Sequence, residues 1–123
     1  MESISKSLSE IIQDLRKFRD EREWAQFHTP KHLAAAISIE AAELMETMLW
    51  KSDAEVESMI SSEDGRKRAQ EEIADVLILS LLFCDRLGLD PIASIAQKVK
   101  DNEGKYPVHL AKGTATKYSD LKK

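Results

Sequence analysis

Four carboxylates stand at spacings that could hold a metal ion: Glu40, Glu43, Glu72 and Asp75. They form two short words, Glu40-Ala41-Ala42-Glu43 and Glu72-Ile73-Ala74-Asp75, each with its acids three residues apart. On a helix that spacing stacks both acids on one face. At about 100° per residue, Leu33, Ala36, Ile37 and Leu44 share the face of Glu40, and Ala69, Val76, Leu79 and Phe83 share that of Glu72. The acids therefore interrupt apolar stripes. Ionised carboxylates placed there need a cation between them, because an unpaired charge is expensive to bury. One Glu-x-x-Glu pair alone reads as solvated helix surface; two on apolar faces do not. All four side chains are oxygen donors, which suit the hard cation Mg²⁺, or Mn²⁺ in its place. Neither word supplies the His of a di-iron Glu-x-x-His word, and zinc would want Cys or His ligands.

Magnesium in an acidic cage retains waters and binds phosphate. The reaction class this suggests is phosphoanhydride hydrolysis: the ion neutralises a polyphosphate and acidifies a water, and a spare carboxylate takes the proton. Cations must hold the rest of the phosphate chain. Lys98, Asn102 and Lys105, spaced by four and three, line one face near a helix end. They read equally as phosphate contacts or as a solvated terminus whose lysines counter the helix dipole. Trp24, Phe27 and His28 arrive together after a crowd of charges over residues 16–23. Periodicity favours Trp24 and Phe27 as a plug between helices. The other reading makes them the wall of a base pocket, since aromatic faces stack on bases.

The elements that must position these residues are helical. The chain has 123 residues, 42% hydrophobic and 33% charged, with only 4 Gly and 3 Pro, which predicts a single all-α domain over 1–123. A first helix is expected over 4–23, capped by Ser3, with Ile4, Leu8, Ile11, Ile12, Leu15 and Phe18 at helical spacing. Thr29-Pro30 starts a second helix running to about Lys51. Asp53 caps a short piece to about Ile60, and residues 61–66 read as a turn. A third long helix runs from about Arg66 to Leu87, stopped by Gly88. Asp90-Pro91 opens a fourth, to about Glu103, ended by Gly104. Residues 108–123 read as a mostly irregular polar tail. Four helices suggest a four-helix-bundle-like fold, and apolar residues on more than one face suggest a homo-oligomer.

Composition narrows the partners. A net charge of −4 argues against a nucleic-acid polymer as ligand. No apolar run approaches the roughly 20 residues that span a bilayer, so no membrane partner is expected. The start, Met1-Glu2-Ser3-Ile4, has no signal-peptide pattern, and the single Cys84 reads as a reduced core thiol. Together these suggest a cytoplasmic protein.

Several stretches also resemble a known family, the MazG-like all-α nucleoside triphosphate pyrophosphohydrolases, and among them the dCTP pyrophosphatase type. They are residues 22–28, from Arg22 through Trp24 and Phe27 to His28; the word at 40–43; Trp50-Lys51; residues 72–76; and residues 98–107, ending Lys105-Tyr106-Pro107. The resemblance covers residues 16–118. It implies an enzyme in which water attacks the α-phosphorus of a (deoxy)nucleoside triphosphate, giving the monophosphate and pyrophosphate. It implies that Glu40, Glu43, Glu72 and Asp75 hold Mg²⁺, with a glutamate of the first word serving the water. Lys98, Asn102, Lys105 and Tyr106 resemble the phosphate and sugar contacts. Trp24, Phe27, His28 and Trp50 resemble the base and sugar pocket. Such relatives assemble as tetramers built from dimers, which implies a homodimer or homotetramer here, and their role is clearing surplus or non-standard nucleotides. Leu15 and Leu79 depart from the pattern, standing where vertebrate relatives carry a His and a Tyr. A site without those polar rings discriminates bases less well, so the resemblance carries the metal chemistry further than a strict choice of dCTP.

Two other readings remain open at this point. One is a non-catalytic helical oligomerisation module whose acids hold a structural divalent cation; the Lys105-Tyr106-Pro107 stretch would be superfluous there. The other is a related enzyme acting on a different phosphoanhydride.

Overall fold

Short polar side chains set where the helices begin. In the computed structural model, which describes residues 4–121, Ser7 opens α1 (Leu8–Glu21) and Thr29 opens α2 (Pro30–Glu46). Ser52 opens α3 (Asp53–Ser61), Ser62 opens α4 (Glu63–Leu87) and Asp90 opens α5 (Pro91–Lys105). Each cap accepts a hydrogen bond from a first-turn backbone N–H that has no partner within its helix. Ser7 and Ser52 form full capping boxes with Glu10 and Glu55. A four-residue α6 (Val108–Ala111) and two 3₁₀ turns, Ala25–Phe27 and Tyr118–Asp120, complete the elements. No strand occurs among the described residues, in line with the all-α expectation.

The expected boundaries shift in six places. Helix α1 starts at Leu8 rather than residue 4, because Ser7 with Glu10 makes a stronger start signal; Ser3 lies outside the described residues. Helix α2 ends at Glu46, not near Lys51. Both the N–H and the hydroxyl of Thr47 turn to the Leu44 carbonyl, and the chain continues in tight turns to Lys51. The cap of α3 is Ser52, not Asp53. The turn expected over 61–66 shrinks to Ser62, whose extended backbone ends α3 while its hydroxyl starts α4. Gly104 does not stop α5: a helical Gly costs only about 1 kcal/mol, and the Tyr106 N–H still reaches the Asn102 carbonyl at 2.8 Å. The tail is less irregular than expected, since Pro107 presets the chain for α6.

The chain divides into two compact units, Met1–Gly88 and Leu89–Lys123. In the first, α1, α2 and α3 all pack on α4. Its fully enclosed interior is small. Leu33 and Leu82 are the buried apolar residues among those described, with Thr47 beside them in burial. Arg16 and Arg19 of α1 both bind the Asp85 carboxylate of α4, the latter at 3.1 Å. At the α3–α4 corner, a Cβ on Gly65 would lie 2.0 Å from the Met59 carbonyl oxygen, so only glycine lets the helices meet there. Large apolar side chains stay exposed on α2 (Ile39, Met45, Leu49) and on α4 (Ile73, Leu77, Ile78). In the second unit α5 is followed by α6 and the tail; Ile92, Ile95 and Val99 of α5 are exposed.

Candidate metal centre and nucleotide-contact residues

The two acidic words meet because their helices pack face to face. Leu33 is fully buried, and Ala36, Ile37 and Leu44 on α2 are half-buried, as are Ala69, Val76, Leu79 and Phe83 on α4. These are the stripes expected from periodicity, and they carry Glu40 and Glu72 inward with them, both half-buried. One carboxylate oxygen from each of Glu40, Glu43 and Glu72 lies within 4.8 Å of the other two. Asp75 falls outside this close trio and is exposed, yet its charge still acts on Glu40.

The electrostatics of the trio favour a cation. Glu40 Oε2 and Glu72 Oε2 are buried and meet no hydrogen-bond donor. None of the four acids pairs with a Lys, Arg or His among the described residues. The Glu43 carboxyl, with which a protonated Glu40 can share its proton, pushes the Glu40 pKa above the usual carboxylate range. Burial and the charges of Glu43, Asp75 and Glu72 add to the rise. Octahedral Mg²⁺, with bonds of about 2.0–2.1 Å, places neighbouring ligands about 2.9 Å apart and opposite ones a little over 4 Å apart. Three oxygens within 4.8 Å of one another draw together to share such an ion. The residues therefore fit a hard divalent cation.

A cavity of about 440 Å³ opens between the end of α2, α3 and the start of α4. Leu44, Met48, Ile60, Ala69 and Ile73 form its apolar wall, and Arg66 and Gln70 supply its polar groups. Leu44 and Ile73 stand next in sequence to Glu43 and Glu72, but none of the four carboxylates lines the cavity. Sequence reading did not single out Arg66 or Gln70, which look like ordinary surface residues of a helix start.

The aromatic stretch is not a core plug. Trp24 is 44% exposed and Phe27 59%. Trp24 packs edge-on against Phe18, with ring centroids 5.7 Å apart, and the Arg22 guanidinium lies 3.7 Å above the other ring of that pair, Phe18. Glu23 takes a left-handed φ of 53° to make the corner. His28 is half-buried, and its Nδ1 has no partner. Burial, with the charges of Arg19 and His32, holds its pKa below the usual histidine value. Trp50 stands almost free at 93% exposure, on a left-handed φ of 67° in the turns after α2. Leu15 and Leu79 are half-buried.

In the second unit, Lys98, Asn102 and Lys105 follow one another along α5, with Asn102 half-buried and the lysines exposed. Tyr106 is the C-cap residue of that helix. The Lys105 ammonium sits 4.8 Å from the ring centroid of Tyr118, and Tyr106 and Tyr118 meet edge-to-face at 6.2 Å. Tyr118 was not among the expected site residues, because nothing in the tail's spacing marks a return to α5.

Known proteins resemble this chain closely. Residues 35–121 match the MazG-like family. The chain is 40% identical over 114 residues to dCTP pyrophosphatase 1 of Rattus norvegicus, a match spanning 89% of this chain and 67% of the relative. It is 36% identical, over the same shares of each chain, to dCTP pyrophosphatase 1 of Homo sapiens. The crystal structure of a pyrophosphatase from Archaeoglobus fulgidus superposes with a TM-score of 0.77 at 41% identity, covering 87% of this chain and 98% of that one. A family match over most of the chain, with identity this high in both sequence and structure relatives, means that this chain belongs to the MazG-like family.

Proposed function

We propose that this chain hydrolyses deoxynucleoside triphosphates, dCTP or a related one, to the monophosphate and pyrophosphate with Mg²⁺, as a clearing step for surplus or non-standard nucleotides. Nucleotide pyrophosphatase activity at the level of class follows from its relatives. The observation that carries the finer reading is the trio of carboxylates, two of them with a buried oxygen that has no donor.

Glu40, Glu43 and Glu72 would hold the ion, with Asp75, whose charge reaches Glu40, as the fourth acid of the set. When bound, Mg²⁺ supplies charge neutralisation on the phosphates and a more acidic water. A glutamate of the first word takes the proton from the attacking water; the water oxygen bonds the α-phosphorus as its bridge to the β-phosphate breaks. Pyrophosphate leaves with the bridging oxygen. Lys98, Asn102, Lys105 and Tyr106 contact phosphate and sugar, and Trp24, Phe27, His28 and Trp50 contact base and sugar. A neutral His28 offers a hydrogen bond without placing a charge on the base.

The exposed apolar residues of α2 and α4 support self-association into a homodimer or homotetramer. No helix among the described residues is long and apolar enough to cross a membrane, which is compatible with a cytoplasmic enzyme. The test is product analysis by phosphorus NMR across a panel of normal and modified dNTPs with Mg²⁺. Monophosphate with pyrophosphate supports the reading. Diphosphate with orthophosphate refutes attack at the α-phosphorus, and no turnover of any triphosphate leaves the acids as a structural cation site.

A further inference from the structure

The tail of the second unit doubles back on the end of α5. After α6 the Thr114 N–H closes a turn onto the Ala111 carbonyl at 3.1 Å, around Gly113 at a left-handed φ of 77°. The Thr114 and Thr116 hydroxyls then bond each other at 2.6 Å, and the Thr116 N–H donates to Thr114 Oγ1. This local bonding sets the direction of the chain into the 3₁₀ turn Tyr118–Asp120. Tyr118 is thereby brought to two residues at once, Lys105 at 4.8 Å and Tyr106 at 6.2 Å.

The chemistry of that contact is specific. Lys105 pairs with no carboxylate among the described residues. An ammonium over a π face is held by the ring quadrupole and keeps its full charge. A carboxylate would hold it too, but would neutralise the charge a phosphate needs. A flexible lysine stem loses much rotamer freedom when it binds an anion; a ring that fixes it beforehand reduces that loss. The edge contact orients Tyr106 in the same way.

The geometry points to Tyr118 as a positioning residue: its ring pre-sets Lys105 and Tyr106 to receive the triphosphate, acting on substrate affinity and not on the chemical step. This rests on the reading of Lys105 and Tyr106 as phosphate and sugar contacts.

The test compares Tyr118→Leu, Tyr118→Phe and Lys105→Ala in the full chain with dCTP and Mg²⁺, alongside proton NMR of the free proteins. A cation–π contact of ordinary strength at an exposed site corresponds to a roughly two- to fivefold change in affinity. Tyr118→Leu is expected to raise KM by about that factor with kcat unchanged, and to abolish the upfield ring-current shift of the Lys105 ε-methylene. Tyr118→Phe keeps the ring and restores both. An unchanged KM in Tyr118→Leu while Lys105→Ala raises KM overturns the inference and leaves the reading of Lys105 standing. If Lys105→Ala also leaves KM unchanged, the reading itself fails and the inference goes with it. A Phe variant as impaired as the Leu variant overturns the positioning role in favour of the hydroxyl.

Discussion

Glu40 on α2 and Glu72 on α4 bring carboxylate oxygens within 4.8 Å of each other, and each has a buried oxygen that meets no hydrogen-bond donor. Like charges held this way destabilise the empty fold and prepare it for a cation. Glu40→Gln and Glu72→Gln are therefore expected to separate activity from stability. Turnover should fall by about 10²–10⁴-fold, the range of a lost acid–base or charge-positioning group. Melting of the metal-free protein, followed by circular dichroism, should occur at a higher temperature than wild type, since each change removes a like-charge contact. Loss of activity with a lower metal-free melting temperature would show that the acids serve the fold instead.

Gly65→Ala tests the α3–α4 corner. The new Cβ would sit 2.0 Å from a backbone oxygen, and backbone cannot swing aside as a side chain can. Overpacking of this kind costs typically about 1–3 kcal/mol, and the top of that range is expected here. Urea unfolding measures it; a change below about 0.5 kcal/mol, the level of a neutral surface substitution, would contradict the corner geometry.

Much of the site was legible in the sequence because periodicity and polarity pointed the same way. Leu33, Ala36, Ile37 and Glu40 fall on one stripe by spacing alone, and the packed helices keep them together. Capping was legible wherever one strong signal stood alone, as at Thr29-Pro30 and Asp90-Pro91. It misled at the starts of α1 and α3, where Ser7 and Ser52 cap the helices through capping boxes with Glu10 and Glu55 that the reading of Ser3 and Asp53 passed over. Ser62 was hidden for another reason, because one residue both ends α3 and begins α4, and no composition signal marks a turn that short. The approach of Tyr118 to Lys105 depends on the path of the tail, and local spacing carries no information about that.

Trp50 offers a test of backbone strain. A non-glycine residue at φ 67° is disfavoured, and this one presents 93% of its surface to solvent. Both Trp50→Ala and Trp50→Gly remove the ring, so both should raise KM for the triphosphate. Only glycine relieves the left-handed conformation, so the Gly variant should be more stable than the Ala variant by about 1 kcal/mol. Equal stability of the two in thermal or urea unfolding would mean that the backbone there is not strained.

The Arg16–Asp85–Arg19 contact between α1 and α4 predicts a pH dependence. Hydrogen bonding to Arg16 leads the causes that hold the Asp85 carboxyl below its usual pKa, with Arg19 adding to it. A depressed folded pKa stabilises the fold above the unfolded value of about 3.9, and that stabilisation disappears as pH falls further toward the folded value. Asp85→Asn should therefore be less stable than wild type at neutral pH, by about 1 kcal/mol after allowing for solvent around Arg16. The difference should shrink below about pH 4. A gap that stays constant from neutral pH into acid would place the effect in packing and not in charge.

The central claim is that the two acidic words share one divalent ion. Binding of Mn²⁺, followed through the loss of its free electron paramagnetic resonance signal, tests it without reference to any substrate. Wild-type protein should take up the ion, while Glu40→Gln and Glu72→Gln should each weaken uptake by tenfold or more, roughly 1.4 kcal/mol or above. Variants that bind Mn²⁺ as tightly as wild type would contradict the account.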